Sequence, residues 1–406
     1  METLNNAARE LPASLSSHAG YVRIFQPGKL TFGFIMPLEG YPLTGGFARR
    51  TEPQARPSAR CRNPAGNGRV CIAFISRQLI FTKDTFMNQI ISRADALGFL
   101  EYLRCSWESG NWEAQERYLA ESLTLQSSHK GLLTGKEVVV SALREDTALG
   151  NHLNLVTSNY YAADNGQGTA MVSAYLYGEV SRAMNVPPSV LFGAVVRITL
   201  QASDDGWKMT HALVSISWVE GETRYLANWK LPPGQQGWRP GDAPPVLVSE
   251  LDSPWACIPD NRVEATEIEQ IEEAYSRYSW GIDQNDFGQF RTCYTRDARG
   301  KFPPLGPLSG LHSIVGSLKE FRRHWPWMQH YGVPLEITLA TDGKSAEMWI
   351  GRLIPGQFKN DQGEWMYGAH YRIELSKEDG LWKFIWSEYV PGWFSASTLP
   401  CSSLRN

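Results

Sequence analysis

Residues 193–200 read GAVVRITL and residues 368–375 read GAHYRIEL. Five of the eight positions agree, at a separation of 175. The same separation relates Trp207 in DDGWKM to Trp382 in EDGLWKF, and Gly135 in TGKEVVVSAL to Gly310 in SGLHSIVGSL. Upstream, LRCSWESGNW aligns with YSRYSWGIDQND, which sets Trp107 against Trp280 at 173, and His152 pairs with His330 at 178. Five matches in one order, with offsets drifting by only a few residues, indicate a duplicated module. The expected organisation is an irregular leader over 1–90, a first module over 92–235, a Pro/Gly-rich linker over 236–261 and a second module over 262–396.

Each copy has one coarse order. Thr266 and Glu269 form a capping-box pattern, and Ile268, Ile271, Tyr275, Tyr278 and Ile282 then recur at spacings of three and four, as an amphipathic helix requires. Short helices are expected around 287–293 and 312–324. Strands follow over 334–340, 345–354, 366–376 and 381–390, joined by Asp342-Gly343 and Asp379-Gly380, dipeptides that favour hairpin turns. Asn165-Gly166 and Asp205-Gly206 mark the same turns in the first copy. Helices followed by a meander of long strands make an α+β fold.

The 406 residues carry a formal net charge of −3, 42% hydrophobic residues and 47 aromatic rings (15 Trp, 16 Tyr, 16 Phe). That balance builds real cores, excludes a disordered chain and leaves no basic footprint for nucleic acid. No apolar run approaches the ~20 residues that span a bilayer, and Met1–Gly20 lacks the pattern of a secretory signal. Six cysteines without regular spacing (Cys61, Cys71, Cys105, Cys257, Cys293, Cys401) read as reduced thiols of a cytoplasmic protein rather than a disulfide scaffold or zinc site. The phosphate-loop pattern GxxxxGK[ST], the hydrolase elbow GxSxG, the zinc motif HExxH and the dinucleotide motif GxGxxG are all missing. His312, His324 and His330 lie close in sequence without the carboxylate spacing of a metal site. LTFGFIMPLEGYP at 30–42 resembles the opening strand of luciferase-like monooxygenases, but no barrel follows it.

The run Tyr278, Trp280, Asp283, Asp286, then Gly310, His330 and the strand pair around Asp342-Gly343, resembles the SnoaL-like branch of the nuclear-transport-factor-2-like (NTF2-like) superfamily, which includes scytalone dehydratase and steroid isomerase relatives. The resemblance covers nearly all of both repeats. It implies curved antiparallel sheets wrapped by helices into cones, two in tandem, which pair as an intramolecular pseudo-dimer. It also implies that Tyr278, Asp283 and His330 carry general acid–base catalysis, without cofactor or metal. Histidine titrates near neutrality, a carboxylate fixes its tautomer, and a phenol in an apolar site donates to a developing enolate.

The expected function is a cofactor-independent lyase or isomerase, a dehydratase or cyclase of natural-product biosynthesis acting on a small hydrophobic cyclic substrate. The alternative is a non-catalytic ligand-binding or scaffold protein of the same fold. Each residue also fits a plainer role: Tyr278 as core, Asp283 and Asp286 as turn residues, His330 as a half-buried structural histidine. Tyr371, Trp349 and Arg352 are the expected substrate contacts. Tyr371 falls on the apolar face of its strand and His370 on the other, while Arg352 stands where many relatives carry an acid or a histidine. In the first module Cys105 replaces the tyrosine, Ser109 or Gly110 replaces the aspartate, and His152 alone is retained, so that copy is expected to be structural.

Overall fold

The computed structural model describes residues 25–26, 29–30, 90–148, 151–183, 186–230, 245–325 and 328–400. Two compact units divide at Gln78 and Leu79. In the first, β1 (Phe25–Gln26) pairs with β2 (Lys29–Leu30); residues 1–24, 27–28 and 31–89 of the expected leader, including nearly all of LTFGFIMPLEGYP, lie outside the described residues.

The second unit holds both repeats. The first runs α1 (Arg93–Ser109), β3 (Leu119–Ser127), β4 (Gly131–Thr134), α2 (Lys136–Ala148), β5 (His152–Asp164), β6 (Thr169–Ser181), β7 (Val190–Ser203) and β8 (Gly206–Gly221). After the short helices α3 (Ser249–Asp252) and α4 (Pro254–Cys257), the second runs α5 (Glu267–Asp283), α6 (Phe287–Arg291), β9 (Tyr294–Phe302), β10 (Gly306–Ser309), α7 (Leu311–Arg323), β11 (Gly332–Leu339), β12 (Ser345–Arg352), β13 (Met366–Glu378) and β14 (Leu381–Ser395). The sheet orders are β4-β3-β8-β7-β6-β5 and β10-β9-β14-β13-β12-β11, so the two repeats share one topology. Pairing is antiparallel except for β3 with β8 and β9 with β14. The two-strand hairpin β9–β10 has no counterpart in the expected element list. Its sequence TRDARGK presents too few apolar side chains to show a period of two.

Local chemistry sets the elements. The capping box forms: the Thr266 hydroxyl accepts from Glu269 N–H and the Glu269 carboxylate accepts from Thr266 N–H. Ile271, Ala274, Tyr275, Tyr278 and Ile282 are buried along one stripe of α5, whereas Ile268, in its first turn, is exposed. Asp379 and Gly380 turn β13 into β14 with φ of 53° and 79°, the twist that a two-residue hairpin demands. Bulges in β5, β11, β13 and β14 bend the sheets around their helices.

Burial falls into two sheet interiors, a third cluster between the repeats and a small fourth one of Tyr161, Ala163 and Ile258. On the first sheet, Ala174, Leu176, Ala194 and Val196 face inward. Tyr175, Tyr177, Val195 and Trp218 face the opposite way and pack with Trp280, Tyr331, Leu353, Phe358 and Tyr367 of the second repeat. Part of the linker joins in: Leu247 and Ile258 are buried, and Trp255 stacks on Tyr161 at 4.1 Å. At the helices, Arg93 of α1 pairs with Glu269, Glu272 and Glu273 of α5.

Candidate active site

Asp283 ends α5, and its backbone carbonyl accepts a hydrogen bond from the buried Arg322 guanidinium at 2.9 Å. Its carboxylate then serves one neighbour twice. Oδ2 accepts the His330 backbone N–H at 2.6 Å, and Oδ1 lies 2.6 Å from His330 Nδ1. Both residues are buried. An ionised carboxylate there holds the hydrogen on Nδ1 and leaves Nε2, which has no hydrogen-bond partner among the described residues, as the free base. Burial lowers the His330 pKa, with Asp283 opposing the shift, so the ring is neutral at physiological pH.

Tyr278 meets His330 edge-on, with ring centroids 6.1 Å apart, and Tyr371 lies 6.3 Å from His330 on another side. Burial, reinforced by the phenols of Tyr371, Tyr294 and Tyr275 and by Asp283, raises the Tyr278 pKa well above its ordinary value. It stays a proton donor. Tyr371 faces the interior from β13, opposite Ile350 and beside Tyr389. Arg352 shares that interior: its guanidinium lies 5.8 Å over the Tyr389 ring. Four chain segments thus bring Tyr278, Asp283, His330, Tyr371 and Arg352 into one group.

Trp349 does not join it. Side chains alternate along β12, so Met348 and Ile350 point inward and Trp349, opposite Arg372, points outward. There it stacks on His370 at 5.3 Å and donates its indole N–H to Glu347. The expected substrate contact is a packing residue of the outer face. Asp286 caps α6 through Gln289 N–H, and Trp382 is core that reaches Glu267.

Two correspondences between the repeats are also corrected. Ser92 and Thr266 cap α1 and α5, a separation of 174. Trp107 and Trp280 are therefore one residue out of phase, a rotation of about 100° on a helix. Accordingly, Trp107 enters the first interior and Trp280 the contact between repeats. In the sheets, Arg352 faces Ala369 and Gly332, while Leu176 faces Ala194 and Thr157. That register makes Leu155, not the exposed His152, the counterpart of His330. Leu176 then replaces Arg352, and Val196 replaces Tyr371. At the end of α1 the counterpart of Asp283 is Ser109. Trp107 stacks instead on the fully buried His129, whose other neighbour is Trp229.

The sequence reading missed Asn159 altogether. This buried residue of β5 in the first repeat adopts φ 57° at a bulge, a left-handed conformation that asparagine tolerates. Its Nδ2 donates to the His330 carbonyl at 2.9 Å, and its Oδ1 accepts Gly332 N–H at 3.0 Å. Next to it, Gln329 Oε1 accepts from Trp218 Nε1 and from the Tyr331 hydroxyl. Gly193, the first residue of GAVVRITL, makes room: a Cβ there would lie 2.1 Å from Trp218 Nε1 and 2.4 Å from Gln329 Oε1. A backbone amide pattern gives no hint of a clamp whose two halves are 171 residues apart.

A six-stranded sheet bent around one long helix defines an α+β domain whose topology this chain carries twice, with a carboxylate–histidine pair at the helix end of the second copy. Residues 263–385 match the family model described as SnoaL-like domain, so the second repeat is similar to that family. No curated protein matches the chain. Solved structures similar to it include a proposed scytalone dehydratase from Novosphingobium aromaticivorans, at 13% identity over 32% of this chain and 87% of that one, with a TM-score of 0.28. A proposed dehydratase of the NTF2-like family from Streptomyces avermitilis matches at 14% identity over 30% and 92%, TM-score 0.26. An NTF2-like protein from Cytophaga hutchinsonii matches at 17% over 31% and 98%, TM-score 0.25. Among the described residues, no helix is long and apolar enough to cross a membrane.

Proposed function

We propose that the second repeat is a cofactor-independent lyase or isomerase, a dehydratase or cyclase that works by general acid–base catalysis on a small hydrophobic cyclic ketone or hydroxyketone of natural-product biosynthesis. One observation carries this reading: the buried Asp283–His330 pair at 2.6 Å with the Tyr278 phenol edge-on to the imidazole. His330 Nε2 takes a proton from the carbon next to the substrate carbonyl, and the C–H electron pair moves into the enolate. Tyr278 donates a hydrogen bond to the oxygen as its charge grows, and Asp283 stabilises the imidazolium through Nδ1. When the carbonyl re-forms, the β-hydroxyl leaves with the proton returned by His330, as water. Proton return to another carbon instead gives isomerisation.

The first repeat acts as a scaffold in this reading, and the two together as an intramolecular pseudo-dimer. Leucine and valine at the positions of His330, Arg352 and Tyr371 support the first part, and the Asn159 clamp supports the second. The free thiols of Cys105, Cys257 and Cys293 suit a reducing, cytoplasmic setting.

The test is exchange of the α-protons of 2-tetralone, a hydrophobic cyclic ketone, in D₂O by NMR. The full chain should accelerate exchange over buffer, and His330→Ala and Tyr278→Phe should lose about 10²–10⁴-fold and at least ten-fold of that acceleration respectively. Exchange that survives His330→Ala intact refutes the mechanism.

A further inference from the structure

Two polar groups inside the second sheet take no part in the acid–base scheme, and they converge. Arg352 closes β12 on the same face as Met348 and Ile350. It forms no ion pair and no hydrogen bond among the described residues, and its Nε is buried without a partner. The buried arginines are engaged: Arg93 meets three glutamates, Arg197 meets Asp252, Arg277 donates to the Trp382 carbonyl, and Arg322 holds the carbonyl of Asp283. A guanidinium with no anion paired to it, its Nε–H buried beside phenols, keeps a donor free for an incoming acceptor.

Tyr275 is the second group. It lies one helical turn before Tyr278, is 2% exposed, and its hydroxyl has no partner. Its ring rests on Gly332, where a Cβ would come within 2.1 Å of Tyr275 Cε1, and Gly332 is the strand partner of Arg352. Tyr275 and Tyr371 pack at 5.6 Å, Tyr371 and Tyr389 at 5.1 Å, and the guanidinium lies 5.8 Å over the Tyr389 ring. Asp283, the carboxylate whose charge acts on Arg352, is committed twice to His330. Although burial opposes the charge, the neighbouring phenols of Tyr389, Tyr371 and Tyr275, with Asp283, keep Arg352 a cation with its pKa raised.

We propose that Arg352 and Tyr275 form an anion-binding end of the site, so the substrate carries an anionic oxygen, a carboxylate or an ionised enol, on its hydrophobic ring. Arg352 Nε–H and Tyr275 O–H are both donors without acceptors of their own, and together they fit one such oxygen. The assignment rests on reading the second repeat as the site and adds the charge of its ligand. An anionic group held there also places the ring beside His330, whose partner Tyr371 is shared by both ends.

The test is equilibrium binding to the full chain by titration calorimetry, and it needs no turnover. 2-Naphthoate is compared with 2-naphthamide for the carboxylate, and dimedone with its methyl enol ether for the ionised enol. A preference of at least ten-fold for either anion over its neutral counterpart is expected, and the arm that displays it identifies the source of the charge. Arg352→Met should reduce it to within two-fold, Arg352→Lys should retain much of it, and Tyr275→Phe, which removes only the oxygen, should weaken the anion alone. His330→Ala should keep the preference while losing tetralone exchange, which separates this site from the catalytic reading. Equal binding of anion and neutral probe, binding of neither, or a preference that survives both Arg352→Met and Tyr275→Phe overturns the proposal.

Discussion

Replacing Asn159 with glycine isolates what the first repeat does for the second. Glycine adopts the φ of 57° freely, so the backbone of the β5 bulge is kept and only the carboxamide is lost. The His330 carbonyl and the Gly332 N–H then lose their partners, and Ser158 Oγ loses the acceptor that it reaches at 2.6 Å. Each buried backbone group left unsatisfied costs about 1–3 kcal/mol. Water entering the space moves the sum toward the lower end, about 2–4 kcal/mol. Asn159→Ala adds about 1–2 kcal/mol, because alanine resists the left-handed region. Urea unfolding followed by tryptophan fluorescence reads the loss as a lower midpoint, and tetralone exchange reads the loosened His330. Midpoints of the glycine variant within about 0.5 kcal/mol of the parent, with exchange unchanged, would refute the clamp.

His129, pushed down to about 3 by burial with Asp146 opposing, binds a proton between about pH 3 and 6.5 only when unfolded. Its contribution is complete above that pH and is lost as pH falls toward 3, about 2 kcal/mol of it by pH 5. Since neither ring nitrogen has a partner, His129→Phe should stack between the same tryptophans and flatten the urea midpoint between pH 7 and pH 5; an unchanged acid loss would count against it. Gly332→Ala must displace Tyr275, so about 1–3 kcal/mol of stability and the preference for anionic probes should fall together, by urea midpoint and calorimetry. Asp283→Asn removes the charge that opposes the downward shift of His330, so tetralone exchange should drop about 10²–10⁴-fold, and the residual rate should titrate at lower pH.

The order of elements was readable because local rules and tertiary demands coincide in this chain. The Thr266–Glu269 box, the Asp-Gly turns and the alternation of 368–376 each specify a conformation with their own residues. Errors arose where the decision belongs to a neighbour. Whether Trp349 or Ile350 faces inward depends on which of them pairs with Tyr371, and that register is set across two strands. Equating His152 with His330 follows identity of residue type, while the strand pairing equates positions. Tyr275 read as plain core, because its stripe is apolar and only its unpaired oxygen distinguishes it. Asn159 could have been suspected only as a polar residue breaking the alternation of a long strand.

Duplication explains how these features coexist. A lone sheet of this kind leaves its outer face to water or to a second subunit. Here Tyr175, Tyr177 and Trp218 on the outer face of the first sheet are covered by the second repeat, and the segment they hold, 328–333, contains His330. The first interior does not need polar groups for that support, and Leu155, Leu176 and Val196 stand there at the places of His330, Arg352 and Tyr371. The outer face is under the opposite demand. A substitution at Asn159, Gly193 or Trp218 reaches the histidine of the other repeat through one or two hydrogen bonds, whereas one at Leu176 reaches only its own core. Sensitivity of the candidate chemistry should accordingly follow the face of the first sheet, outer over inner, rather than distance along the chain.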